Sequence, residues 1–133
     1  MSPVDGARIM IEAGAGELID KITILRIKTE RMTDATKLVN IRRELDMLRR
    51  ARARSLPASA ELDHLEEELK RINQALWDIE DDIRRCERTG EFGDRFVRLA
   101  RSVYKQNDRR SALKRRINAL TGARIVEEKS YAP

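Results

Sequence analysis

The longest apolar pattern in the sequence runs from Leu62 to Cys86. Apolar side chains recur there at alternating spacings of three and four residues, at Leu62, Leu65, Leu69, Ile72, Leu76, Ile79, Ile83 and Cys86. Such a coiled-coil-like seam predicts one amphipathic helix of about 28 residues, or ~42 Å long. Other helices must cover its apolar stripe. The pattern therefore predicts an all-α fold of long, packed helices.

Three further segments have helical periodicity or capping signals. Asp34, Ser59 and Asp94 are suitable N-caps, and Gly122 is a suitable C-cap. We predict an antiparallel four-helix bundle that forms a single domain over residues 1–133, with long third and fourth helices. The predicted helices span about 16–32, 35–54, 60–88 and 94–121.

The first helix is apolar on two sides. At 100° per residue, Leu18, Ile22 and Leu25 share one face, and Ile24 and Ile27 lie nearly opposite. A surface helix needs only one apolar stripe. We therefore expect this helix to be covered twice, by its own chain or by a second copy, which predicts a homodimer.

Both ends of the chain are predicted to lie outside the helices. Residues 8–12 are a short apolar run that suits a strand or an extended arm, so we expect a short extended N-terminal arm. The segment after Gly122 has apolar side chains at Ile125, Val126 and Tyr131, and we expect this tail to dock on the bundle. Its charged residues 127–131 could close over a pocket or bind a partner.

Charge is unevenly distributed along the chain, whose formal net charge is +5. Residues 61–88 hold ten acidic and five basic groups, whereas residues 94–124 hold two acidic and ten basic groups. If these segments are neighbouring helices, much of this charge is neutralised within the fold. This interpretation disfavours nucleic acid as a partner.

The composition excludes several kinds of protein. No apolar run approaches the ~18 residues of a membrane span, and residues 1–10 lack the pattern of a signal peptide. A cytoplasmic location is the expectation. With one cysteine and one histidine, we predict no disulfide, no metal, no cofactor and no nucleophile paired with a base.

Four motifs resemble those of an uncharacterised family of small helical bacterial proteins. They are GELIDKITIL at 16–25, ALWDIED at 75–81, ARSVYKQNDRR at 100–110 and VEEKSY at 126–131. The resemblance spans nearly the whole chain. It implies a link to surface-polysaccharide metabolism without assigning a reaction.

Polar residues occupy positions that the helical seams would bury. In the fourth helix the seam register falls on Gln106 and Arg110, and in the third helix a stripe of Asn73, Trp77, Glu80 and Arg84 runs beside the seam. A pocket inside the bundle is one interpretation; a buried network that fixes helix register is the other. The candidate ligand-binding residues are Asp20, Lys21, Trp77, Glu80, Arg101, Tyr104, Asn107, Asp108 and Arg110.

Three functions are compatible with these observations. The first is a helical binding or interaction module for an anionic metabolite or a protein partner. The second is a small helical enzyme of the chorismate mutase kind, in which cationic and amide side chains stabilise a charged transition state; the residue types are supplied by Lys21, Arg42, Asn73, Gln106 and Arg110. The third is nucleic-acid binding through the basic helix at 94–116.

Overall fold

The computed structural model describes residues 6–123, Glu128 and Ser130. The helices are α1 (Ala15–Arg31), α2 (Ala35–Ser55), α3 (Ala60–Thr89) and α4 (Asp94–Thr121). No strand occurs in these described residues. The all-α prediction is confirmed, and every helix boundary lies within one residue of the predicted position.

Local hydrogen bonds explain where most helices begin and end. The Asp34 side chain accepts the backbone N–H of Lys37 at 3.0 Å, and Ser59 Oγ accepts that of Leu62 at 3.1 Å. At the C-terminal end of α4, Gly122 is the C-cap and adopts the left-handed conformation, with φ of 71°. The predicted cap of α4 is wrong by one position: Gly93 is the N-cap, and Asp94 lies in the first turn, where its charge favours the helix dipole.

Helix α1 is the centre of the bundle, because α2, α3 and α4 all pack against it. On one side, α1 joins α3 and α4 in an apolar cluster of Ala15, Ile19, Leu62, Leu65, Leu69, Leu113 and Ile117. On another, it joins α2 in a cluster of Ile22, Leu25 and Leu45, with Leu18, Ile41 and Leu48 against it. On the face predicted to lie opposite, Ile27 is 1% exposed and Ile24 is half-buried. The chain itself therefore covers most of both sides of α1, and the predicted homodimer does not follow from this helix.

Helices α1 and α4 approach each other unusually closely at Gly16. Its backbone N–H donates to Asn118 Oδ1 at 2.8 Å. A Cβ atom on Gly16 would lie 2.6 Å from the carbonyl oxygen of Lys114 and 3.0 Å from Asn118 Oδ1. Only glycine fits this approach, which brings the beginning of α1 against the end of α4.

The arm before α1 is extended, and residues 6–14 form neither helix nor strand. Ile9, Met10 and Ile11 are 80–89% exposed. In the tail, Glu128 accepts a hydrogen bond from Arg115 at 3.1 Å. The predicted docking of Ile125, Val126 and Tyr131 falls outside the described residues. None of the described helices has the length and apolar character to cross a membrane.

Candidate functional site

A buried carboxylate, Asp20 on α1, is the centre of a polar network that ties three helices together. Asp20 is only 4% exposed. Arg110 of α4 donates through Nε to Asp20 Oδ1 at 2.9 Å and through a terminal nitrogen to Oδ2. Asn73 of α3 donates through Nδ2 to the same Oδ1 at 2.9 Å. The paired geometry offsets the cost of burying the charge.

Thr23 completes this network from one turn further along α1. Its hydroxyl accepts from Asn73 Nδ2 at 2.8 Å and donates to the backbone carbonyl of Asp20 at 2.7 Å. The seam position of Arg110 predicts a buried polar side chain but does not indicate its partner. The structure identifies that partner as Asp20.

The network opens into a small cleft between α1, α3 and α4, which we call the polar cleft. Its volume is about 300 Å³. Its lining combines apolar side chains with an indole, two amides, a carboxylate and a guanidinium. The lining residues are Ile24, Ile27, Asn73, Leu76, Trp77, Glu80, Asn107 and Arg110. This mixture of a few polar groups with apolar walls is typical of sites for small molecules.

Trp77 is half-buried at the edge of the polar cleft, and its ring contacts Arg31, which does not line the cleft. The guanidinium of Arg31 lies 5.9 Å from the centre of the indole ring. Arg31 also pairs with Asp78. The hydrogen bond to Asp78 is the main cause of a raised pKa of Arg31, so this cation stays charged. The contact orients the indole beside the polar cleft.

A larger groove lies between the arm, α1 and α2, with a volume of about 730 Å³. It shares Ile24 and Arg110 with the polar cleft. Lys21 lies in this groove and pairs with Glu44 of α2 at 2.8 Å. Both partners are substantially exposed, so this ion pair contributes little to stability.

The structure brings together five of the nine predicted site residues. Trp77, Glu80, Asn107 and Arg110 line the polar cleft, and Asp20 holds Arg110 beside it. Lys21 lines the groove instead. Three other candidates are exposed on α4 and line neither space: Arg101, Tyr104 and Asp108.

Three buried polar residues were not among the nine candidates. Asn73, which is 6% exposed, belonged to the predicted polar stripe of α3, but the other two were in neither set. Thr23 is 0% exposed and Asn118 is 8% exposed. The i, i+3 spacing of Asp20 and Thr23 on one helix face is a signal that would have indicated Thr23. Nothing in the sequence marks Asn118, because its role depends on the close approach of Gly16 from a distant segment.

The acidic groups of α3 pair mainly with α1 and α2. Arg26 of α1 lies 2.7 Å from Glu66 and 2.8 Å from Glu67. Burial lowers the pKa of Arg26, but hydrogen bonds and charge from both glutamates outweigh burial and raise it. Lys70 lies 2.6 Å from Glu30 of α1, and this hydrogen bond is the main cause of a lowered pKa of Glu30.

The predicted neutralisation of α4 by α3 is therefore largely wrong. Between the described residues of these helices, the ion pairs are Arg95 with Asp82 at 3.9 Å and Arg116 with Glu68 at 4.0 Å. Both lie near the ends of α4. Four acidic side chains of α3 pair instead with arginines of α1 and α2: Glu66 and Glu67 with Arg26, Asp78 with Arg31, and Asp63 with Arg52.

Among residues 6–123, Glu128 and Ser130, no group of three or more histidine, cysteine, aspartate or glutamate side chains is arranged to hold a metal ion. Cys86 is a free cysteine buried in the seam of α3.

Fold and site together define a small helical-bundle protein in which a buried Asp20–Arg110 pair borders a polar cleft. Residues 9–133 match the model of DUF6165, a family of unknown function. The chain belongs to this family. Comparison with curated proteins and with solved structures gives no match.

Proposed function

We propose that the protein is a helical binding module whose polar cleft holds a small, uncharged, hydroxyl-rich molecule such as a sugar unit. The observation that carries this proposal is the buried network of Asp20, Asn73 and Arg110 at the wall of a cleft bordered by Trp77. A network placed only for helix register has no need of an adjoining cleft lined by further polar groups. The link to surface-polysaccharide metabolism implied by the family resemblance agrees with this ligand class.

The lining groups suit hydroxyls better than a strong anion. The indole of Trp77 offers an apolar face for the C–H groups of a sugar ring. The carboxylate of Glu80 accepts hydrogen bonds, and the amide of Asn107 both accepts and donates them. Glu80 and Asp20 place two negative charges against the one positive charge of Arg110. An anionic metabolite would meet this negative excess.

The volume sets the size of the ligand. About 300 Å³ lies at the lower end of the range for small-molecule pockets. One sugar ring fits better than a whole sugar nucleotide.

An enzyme of the chorismate mutase kind has less support. That chemistry needs several cations around one small substrate. Of the residue types proposed for it, Arg110 and Asn73 line the polar cleft, whereas Arg42 is exposed on α2 and Lys21 pairs with Glu44.

Calorimetric titration and thermal shift with neutral monosaccharides, sugar nucleotides and small diacids would test the proposal. We expect a neutral sugar to bind; at 100 times its dissociation constant it adds about 2.7 kcal/mol to the free energy of unfolding. Asn107→Ala and Glu80→Gln should abolish binding with little change in the midpoint of the free protein. The matched controls Asn40→Ala and Glu87→Gln, at exposed helical positions, should bind normally.

Two outcomes would overturn this function. One is tighter binding of the diacids or sugar nucleotides than of any neutral sugar. The other is sugar binding that survives both substitutions in the polar cleft.

We also infer that the arm mediates homodimer formation. Ile9, Met10 and Ile11 are 80–89% exposed, and burying side chains of this size stabilises by about 1.5–3 kcal/mol each. Ile9 and Ile11 line the open groove beside α1 and α2, so the arm of a second copy has an apolar surface to pack on.

Sedimentation equilibrium over a concentration series would test the dimer. The wild type should dimerise, and a variant with Ile9→Ser and Ile11→Ser should remain monomeric with an unchanged helical spectrum. A wild type that stays monomeric up to millimolar concentration would refute the inference, as would a variant that dimerises normally.

A further inference from the structure

The outer face of α4 carries a line of cations that the rest of the fold leaves exposed. Arg98, Arg101, Lys105 and Arg109 follow one another at spacings of three, four and four residues, and all are exposed. This spacing places them on one side of the helix, over ~16 Å at 1.5 Å per residue. We call this line the basic ridge. We propose that the basic ridge binds single-stranded nucleic acid, with Tyr104 stacking on a base.

The first support is that the basic ridge is not neutralised within the described residues. In this part of the chain, none of its four cations forms an ion pair, because no carboxylate lies within 4.0 Å of any of them. The α3–α4 ion pairs involve Arg95 and Arg116, beyond the two ends of the ridge. Several acidic groups of α3 are instead engaged with Arg26, Arg31 and Arg52 of α1 and α2.

The second support is the combination of regular charge with an aromatic ring. Successive cations of the ridge are separated by about 4.5 to 6 Å along the helix. A flexible single strand can bring successive phosphates to such a line. Tyr104 is 54% exposed and immediately precedes Lys105. Proteins that bind single strands without sequence preference combine a basic track with aromatic side chains on which bases stack.

A membrane surface fits the basic ridge less well. A helix that lies on a membrane inserts its own apolar face between lipids. The apolar side chains Leu113 and Ile117 of α4 are buried in the bundle, so α4 has no such face to offer. In the described part of α4 that borders the ridge, the exposed large apolar side chains are Val97 and Tyr104.

Fluorescence anisotropy with a labelled oligothymidylate or oligouridylate at several salt concentrations would test the proposal. If all four cations contact phosphates, the logarithm of the association constant should fall with that of salt with a slope of about −2.8, from ~0.7 per phosphate contact. Converting the four cations to glutamine (Arg98→Gln, Arg101→Gln, Lys105→Gln, Arg109→Gln) should weaken binding at least tenfold and remove most of this slope.

A matched control separates the ridge from overall charge. Four exposed arginines of α2 are changed in the same way, Arg42→Gln, Arg43→Gln, Arg49→Gln and Arg54→Gln. Both variants have a net charge of +1, which is +5 less 4. The α2 variant should lose much less affinity than the ridge variant. Equal losses would mean that only net charge matters and would overturn the proposal.

Tyr104→Ala gives a second, independent readout. It removes stacking but no charge, so affinity should fall while the salt slope stays the same. Binding that is indifferent to Tyr104, or a duplex of the same sequence that binds as tightly as the single strand, would overturn the single-strand assignment. So would binding of the ridge to anionic phospholipid vesicles in the absence of any binding to oligonucleotides.

Discussion

Replacing Arg110 by alanine is expected to lower the free energy of unfolding by about 3 kcal/mol, because it leaves a buried carboxylate without its cation. The Asp20 side chain is only 5% exposed and the Arg110 side chain 30% exposed, so in the wild type the carboxylate is stabilised by the guanidinium rather than by water. For a chain of 133 residues, this loss corresponds to a fall of about 10 °C in the unfolding midpoint. Thermal and urea unfolding would measure it.

A double replacement separates the pair from its surroundings. Asp20→Leu combined with Arg110→Met removes both charges at similar volume, and such apolar replacements are often neutral or stabilising. Asn73 keeps its hydrogen bond to Thr23 in this variant. We expect the double variant to recover most of the stability lost in Arg110→Ala. Lys21→Ala, which breaks the exposed pair with Glu44, is the control and should cost less than about 1 kcal/mol.

This account would be contradicted if the changes in the free energy of unfolding for Asp20→Leu and Arg110→Met, measured singly, add up to the change in the double variant. Such additivity would mean that Asp20 and Arg110 each contribute through contacts other than their mutual ion pair.

Gly16→Ala is expected to destabilise the protein by about 2 to 3 kcal/mol, although alanine is the better helix former by about 1 kcal/mol. The new Cβ would lie 2.6 Å from the backbone oxygen of Lys114. A backbone atom cannot move aside as a side chain can, so α1 must shift away from α4. That shift also breaks the hydrogen bond from Gly16 to Asn118, and overpacking of this kind typically costs about 1–3 kcal/mol.

Gly93→Ala is the matched control for this prediction. A Cβ atom on Gly93 meets nothing within 4 Å, and its φ of −85° suits any residue. We expect a change below about 1 kcal/mol, which is the scale of a helix N-cap effect. Chemical unfolding of both variants gives the comparison. If Gly16→Ala unfolds like the wild type, the two helices are further apart than the structure places them.

The helices were predictable because their signals are local. The seam from Leu62 to Cys86 and the cap at Ser59 depend only on spacing along the chain, and they place α3 to within one residue. The two apolar sides of α1 were also predicted. The helix that covers each side was not predicted, because this depends on the direction of α2 after α1 and on the packing of α4 against α1. Neither has a local signal.

The candidate site was only partly predictable for the same reason. The polar seam position of Arg110 and the stripe that includes Trp77 and Glu80 indicated a buried polar region on α3 and α4. Helical spacing shows which face a side chain takes, and this was sufficient for those residues. It does not show which faces are left outside: Arg101 and Tyr104 were expected in a pocket, and the structure places them on the exposed side of α4.

The central position of α1 has a consequence for how the chain folds as it is synthesised. The helix that the other three described helices pack against is made before them. Its hydrogen-bond partners on α4 come much later in the sequence. Arg110 follows Asp20 by 90 positions, and Asn118 follows Gly16 by 102 positions. The short connections let α1 pair with α2, and α3 with α4, as local hairpins. Until α4 has been made, Ile19 and Asp20 lack their α4 partners, and docking of the two hairpins is the step that joins the most distant parts of the sequence.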